Sequence, residues 1–307
     1  MTAPVGRFAP TPSGRMHLGN VFAGLIAWLS VKSRGGEMVL RMEDLDTQRT
    51  SAEFAQTLRE DLLWLGLTWD RETEPQSQRS RIYDKYFDIL KEKELLYPCY
   101  CTRSQLHSVN APHLSDGTYV YTGTCRNLTE GERAKFDRKP AWRVMVPDRL
   151  WQLEDLVQGR YELNLATQCG DMVMRRADGV YVYQLAVTVD DGEAGVTEVV
   201  RGMDLLSSAP RQMYLQELFG FSHPEYAHIP MLMAPEGRRL SKRDQDLDMG
   251  ALRNRLKPEQ LIGVLAHAAG LTETAAPISA KELATVFDWS KIQGREIVVT
   301  ELEKLYQ

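Results

Sequence analysis

The first 42 residues carry the pattern that most restricts this chain. Val5 to Ala9 is a short apolar run, and Pro10 to Gly14 is a loop rich in turn residues. Leu18, Val21, Phe22, Leu25 and Leu29 then recur at helical spacing until Gly35-Gly36 halts the run, and Met38 to Met42 opens a second apolar stretch. Strand, helix, strand in that order is a βαβ unit, whose crossover joins parallel strands and lays a helix over the sheet. Thr50 with Glu53 makes a capping-box pattern ahead of Phe54, Leu58, Leu62 and Leu65, and Gly66 stands where such a helix stops. An α/β fold is expected, with a parallel sheet wrapped by helices.

Around Tyr97 the periodicity dissolves into cysteines, aromatics, Gly and Pro until about Leu165, which marks an insertion between two halves of the α/β domain. Beyond it, Met172 to Arg176 and Val180 to Tyr183 flank Asp178-Gly179, a hairpin signal. Val196 to Arg201 is a further strand candidate, and Pro210 to Phe219 a helix closed by Gly220. From Asp246 onward the pattern is helical: Pro258 precedes Leu261, Ile262 and Leu265, and Ser279 with Glu282 caps a helix carrying Leu283, Val286 and Phe287. The expected division is residues 1–96, 97–165, 166–245 and 246–307.

Charge narrows the class of partner. With 37 basic and 42 acidic residues the net charge is −5, so any nucleic acid must be held by a local patch rather than a global field. One such patch lies between Arg238 and Lys257, where seven basic residues face three acidic ones; Arg238, Arg239, Arg243, Arg253 and Arg255 belong to it. Val21 to Val31, the longest apolar run, has eleven residues against the roughly 20 a bilayer demands. The first twelve residues lack a basic region followed by an apolar one, so a cytoplasmic location is the expectation. Cys99, Cys101 and Cys125 share one neighbourhood and suit a metal better than a disulfide framework, while Cys169 stands apart as a core residue.

Two segments could carry chemistry. Arg7-Phe8-Ala9-Pro10-Thr11-Pro12-Ser13-Gly14 runs into His17-Leu18-Gly19-Asn20 at the start of the first helix. A helix N-terminus attracts anions, Gly14 and Gly19 would let a ligand approach the backbone, and His17 can donate to a phosphate oxygen. Arg239-Leu240-Ser241-Lys242-Arg243 is a basic loop whose Lys242 offers a mobile charge for phosphoryl or nucleotidyl transfer. Alone, the first is equally a capped helix after a proline loop, and the second a solvated loop; neither the P-loop pattern nor GxGxxG occurs.

Together they resemble the paired signatures of class I aminoacyl-tRNA synthetases, with His17 to Asn20 as the HIGH box and Arg239 to Arg243 as the KMSKS loop. Four further blocks resemble the glutamyl subgroup: Arg7 to Gly14, Arg41-Met42-Glu43-Asp44-Leu45-Asp46-Thr47, Gln184 to Asp191, and Val200-Arg201-Gly202-Met203-Asp204-Leu205-Leu206. Only 63 residues follow Asp244, short of a full anticodon-binding region, so the chain more closely resembles the truncated paralogues, the glutamyl-queuosine tRNA(Asp) synthetase family.

That resemblance implies a Rossmann-type catalytic domain with a zinc-binding insertion and a short helical C-terminal region. It implies a monomeric ligase that activates L-glutamate with ATP and Mg²⁺ and attaches it to queuosine in the anticodon of tRNA(Asp). His17 and Lys242 would be catalytic, with Gly19 and Asn20 completing the ATP site. Arg7, Phe8, Ala9, Pro10, Thr11, Glu43, Tyr183 and Arg201 match the glutamate-binding positions. From chemistry, Glu43 should meet the substrate ammonium and Arg201 its side-chain carboxylate. One structural Zn²⁺ would sit on Cys99, Cys101, Tyr121 and Cys125. His107 and His113, in the 19-residue gap before Tyr121, are more ordinary zinc ligands than tyrosine, so the fourth position stays open. Competing readings are a short glutamyl-tRNA synthetase charging a 3′ end, a noncatalytic glutamate- or tRNA-binding regulator, and a nucleotidyltransferase that shares His17 without the glutamate pocket.

Overall fold

Val5 to Lys32 begins the chain as strand β1 (Val5–Phe8) and helix α1 (Leu18–Lys32), and β2 (Glu37–Leu40) returns parallel to β1 in register Val5 to Glu37 through Phe8 to Leu40. The computed structural model describes residues 2–106, 120–233 and 248–298. The elements that follow are α2 (Ala52–Trp64), β3 (Arg71–Glu72), α3 (Ser80–Glu92), β4 (Leu96–Cys99), α4 (Arg103–Leu106), α5 (Glu130–Arg133), β5 (Ala141–Val144), β6 (Leu150–Asp155) and β7 (Gly159–Asn164). Then come α6 (Leu165–Gln168), β8 (Met172–Arg175), α7 (Tyr183–Glu193), β9 (Glu198–Gly202), α8 (Ser208–Phe219), β10 (Glu225–Ile229), β11 (Leu232–Met233), α9 (Met249–Arg255), α10 (Pro258–Ala268), α11 (Ala280–Ala284) and β12 (Ile297–Val298).

The main sheet has five parallel strands in the order β10-β9-β1-β2-β3. From β1 the chain proceeds outward through β2 and β3 on one side and, after the intervening segment, through β9 and β10 on the other. The order therefore reverses between β1 and β9, and the carboxyl ends of those two strands flank the crevice in which open α/β sheets bind ligands.

Alternation along the strands divides the apolar interior by face. Val200 and Ala227 join a core formed by α1, α2, α9, α10 and α11, whereas their neighbours Val199 and Tyr226 join one formed by α3, α7, α8 and the strands of residues 141–175. Helix α1 is buried at eleven of its fifteen positions, so it packs on nearly every side. A side chain at Gly6 would meet Val31 at 2.3 Å, and the absence of one lets α1 lie directly on β1. Outside the main sheet, β4, β5 and β8 form an antiparallel sheet, and β6 and β7 a hairpin. None of the described helices is long and apolar enough to cross a membrane.

Three local expectations are corrected. Helix α2 begins at Ala52, so the residue bordering it, Ser51, is the cap, its hydroxyl accepting from the Phe54 amide; Thr50 lies one position too early and donates to the Asp46 carbonyl. The strand proposed over Val180 to Tyr183 is reduced to a single bridge between Arg175 and Tyr181, and Tyr183 begins α7. Helix α11 ends at Ala284, so Val286 and Phe287 lie beyond it. Lys242, Arg238, Arg239 and Arg243, with His107 and His113, fall outside the described residues.

Candidate active site

Helix α1 begins with His17 as its own cap. The ring Nδ1 accepts from the Gly19 amide at 3.2 Å, and the Asn20 side chain accepts from the His17 amide at 3.4 Å. With Nδ1 an acceptor, the neutral ring carries its proton on Nε2 and is set to donate from that nitrogen. A Cβ at Gly19 would lie 3.1 Å from the His17 ring, so its bareness makes room for the cap. Gly14, by contrast, has φ +148° and open space where a side chain would be, as close backbone approach requires. After the basic loop, the described chain resumes at Asp248, which is bridged antiparallel to His17, and the Met249 amide donates to the Met16 carbonyl.

A cavity of about 550 Å³ opens beyond β1 and β9. Arg7, Phe8, Ala9, Pro10 and Thr11 line it from β1 and its loop, His17 and Asn20 from α1, Glu43 from beyond β2, Tyr183 from α7 and Arg201 from β9. Gly19 is not among the lining residues; its amide is held by His17. Arg15, Asp46 and Arg49 line the same cavity without having been named as site residues; Asp46 lies within the glutamyl-type block Arg41 to Thr47, and Arg15 and Arg49 were marked only by position in the flanking loops. Among the described lining residues, four arginines against two carboxylates suit a ligand bearing several anionic groups and one cation.

A buried ion network holds the walls. Arg41, wholly buried, donates to Asp191 at 2.6 Å and to Glu43 at 3.2 Å. Arg7 donates to Asp191 at 3.4 Å and to the Val200 carbonyl at 3.1 Å. The adjacent Asp190 receives Gln76, Arg79 and Tyr83. Burial pushes the Glu43 carboxyl above the ordinary carboxylate range; Arg41 and Arg7 oppose this, and Asp191 adds to it. A ligand ammonium beside Glu43 would relieve that cost. Burial also raises the Tyr183 phenol, so it stays a neutral hydroxyl.

Arg201, 5% exposed, donates from Nε to His228 Nε2 at 2.9 Å, from one terminal nitrogen to the Gln212 side chain at 2.8 Å, and from the other to the Leu205 carbonyl at 3.3 Å. Three of its five N–H groups are thereby used and two are left for a ligand. His228 and Gln212 are residues that no sequence pattern indicated.

A second cluster lies between β4 and the segment at residues 121–125. The Sγ atoms of Cys99, Cys101 and Cys125 lie within 4.8 Å of one another. The Tyr121 hydroxyl is 3.5 Å from Cys99 Sγ and 3.9 Å from Cys101 Sγ, and accepts from the Cys125 amide at 3.0 Å. Burial and the neighbouring Cys99 push the Cys101 thiol up to about 12. Three soft sulfur donors gathered this closely, with the Tyr121 hydroxyl beside them, are a donor set that fits tetrahedral zinc. Cys169 packs at the edge of the second core and receives Arg211.

Arg253, expected in the basic patch, donates to the buried Asp61 at 2.7 Å and lies over Trp64, tying α9 to α2.

Residues 5–305 match the family described as tRNA synthetases class I (E and Q), catalytic domain. A protein of Nitratidesulfovibrio vulgaris named Glutamyl-Q tRNA(Asp) synthetase is 42% identical over 306 residues, covering 95% of this chain and 94% of its own. One of the same name from Symbiobacterium thermophilum is 41% identical, with 94% and 93% covered. Among solved structures, a glutamate tRNA ligase from Elizabethkingia meningosepticum in complex with its amino acid matches with a TM-score of 0.84 at 28% identity, over 99% of this chain and 68% of that one.

Proposed function

Because the chain belongs to the class I tRNA synthetase (E and Q) family and is a ligase of the aminoacyl-tRNA synthetase type, we propose that it activates L-glutamate with ATP and Mg²⁺ and transfers it to queuosine in the anticodon of tRNA(Asp). The observation that carries the activation step is the convergence of Arg7, Glu43, Tyr183 and Arg201 with His17 on one cavity at the sheet's switch point. The relatives' shared name supports the acceptor.

In the first step the glutamate α-carboxylate attacks the α-phosphorus of ATP and pyrophosphate departs. Positioning and charge neutralisation supply the acceleration. Glu43 takes the substrate ammonium, and Arg201 the side-chain carboxylate. The α1 N-terminus and His17 Nε2–H meet phosphate oxygens. Lys242, six residues before Asp248 in sequence, stabilises the departing pyrophosphate. In the second step a hydroxyl of the queuosine cyclopentene ring attacks the adenylate carbonyl and AMP leaves. Cys99, Cys101 and Cys125, with Tyr121, would hold one structural Zn²⁺, which would brace the segment against β4.

ATP–pyrophosphate exchange without tRNA tests activation: exchange with glutamate and no other amino acid is expected, and its absence defeats the reading. Labelled glutamate supplied with tRNA(Asp), with and without queuosine, then tests the acceptor. Label on a tRNA(Glu) 3′ end instead would replace it with ordinary charging.

A further inference from the structure

Arg201 is held by a hydrogen-bond relay that begins in a different part of the chain. Asp155 closes β6 and is 4% exposed; its carboxylate accepts from the Val157, Gln158 and His228 amides. The same carboxylate lies 2.5 Å from His228 Nδ1, while His228 Nε2 accepts from Arg201 Nε at 2.9 Å. His228 itself has no solvent exposure. Since Arg201 can only donate, Nε2 must be bare and the ring proton must sit on Nδ1, facing Asp155. One tautomer satisfies both neighbours, and the carboxylate selects it. Burial keeps the ring neutral, helped by the Arg201 charge against the pull of Asp155.

We infer that His228 and Asp155 are positioning residues for amino-acid specificity: the carboxylate fixes the imidazole tautomer, and the imidazole fixes the plane of the Arg201 guanidinium, so that its remaining N–H groups meet the substrate's side-chain carboxylate as a fork. This rests on the glutamate reading above. A side-chain carboxylate offers two acceptors in a plane, whereas the amide of glutamine offers one acceptor and an opposing donor; a guanidinium free to rotate would lose that distinction. The hairpin of β6 and β7 thereby reaches the pocket through its terminal residue without lining it.

Asp155→Asn tests the relay with little change in volume. Its amide donates to Nδ1, which moves the ring proton to Nε2 and sets it against Arg201 Nε–H. The glutamate KM in pyrophosphate exchange is expected to rise about tenfold or more, as loss of one charge-assisted hydrogen bond implies. The ATP KM should hold within about twofold, and preference for glutamate over glutamine should shrink, which general loosening would not produce. His228→Gln, whose amide can accept from Arg201 and donate to Asp155, should retain the glutamate KM within about threefold, while His228→Ala should not. Unchanged glutamate KM in both D155N and H228A overturns the relay, as does an equal rise for ATP and glutamate. Should D155N fail to fold, the H228Q and H228A pair decides alone: equal glutamate KM values reject the proposal, and rescue by Gln upholds it. A wild-type enzyme that fails to activate glutamate defeats the functional reading itself, a result distinct from a wild type that does so and is indifferent to D155N.

Discussion

Arg41 Nη1 lies 2.6 Å from Asp191 Oδ1, with Arg41 closed off from solvent, and the other carboxylate oxygen of Asp191 faces Arg7 Nε at 3.4 Å. One aspartate on α7 thus binds two arginines, one in β1 and one just past β2, with Glu43 sharing the charge of Arg41.

Asp191→Asn should be among the costliest single changes in the chain, at about 3–5 kcal/mol, because it leaves two buried guanidiniums undercompensated. Urea denaturation measures it. Burial disfavours the Asp191 charge, but Arg41 and Arg7 outweigh it and hold the carboxyl below the ordinary range. Stability from this pairing is therefore kept above about pH 4, the unfolded value, and lost as acid reaches the lowered native one. A wild-type melting temperature that fell no further than that of D191N between pH 6 and pH 3 would contradict this.

Arg201→Ala should raise the glutamate KM about a hundredfold, the worth of a bidentate ion pair, with a smaller effect on ATP. Pyrophosphate exchange reads it directly. Normal glutamate activation in this variant would remove Arg201 from the pocket.

Glu43 makes a pH prediction. Its pKa is raised by burial, so it protonates at a higher pH than an ordinary carboxylate at about 4.3, and on protonation it loses its attraction for the substrate ammonium. kcat/KM for glutamate should fall on the acid side of that raised value. Glu43→Gln should show a low kcat/KM across the range with that acid limb missing; a limb persisting in E43Q would assign it to another group.

Purified chain should carry about one zinc, and Cys125→Ser less than half as much by elemental analysis. Chelation should lower the melting temperature of the wild type and leave C125S nearly unmoved. Equal zinc in both proteins would show that the thiols at 99, 101 and 125 are not its ligands.

The βαβ opening was legible because each element signals itself: apolar runs, a helical repeat and Gly punctuation. α7 was not. Leu185 to Asp191 is buried without interruption, so the helix offers no polar face to contrast with, while Val180 to Tyr183 alternates like a strand. Thr50 and Ser51 both qualify as caps on paper, and only the position of the first helical residue, Ala52, chooses between them. In the pocket, Arg7, Glu43, Tyr183 and Arg201 come from four distant segments whose spacing announces nothing; they were reached through resemblance to a family. Asp155, Gln212 and His228 carry no local signal, since a buried polar residue is recognised by what it touches.

The reversal of strand order between β1 and β9 has a consequence for how the protein is made. β1 leaves the ribosome early, yet its partner on one side is the strand beginning at Glu198, paired with Gly6. Until that strand has been synthesised, β1 has an open edge, and Arg7 lacks the Val200 carbonyl, although Asp191 is already made. A nascent chain stopped before β9 can build the opening βαβ unit but not the cavity. Amino-acid binding is then a property acquired late in synthesis and all at once, and a fragment ending short of Glu198 would expose a strand edge fit for pairing with its own kind.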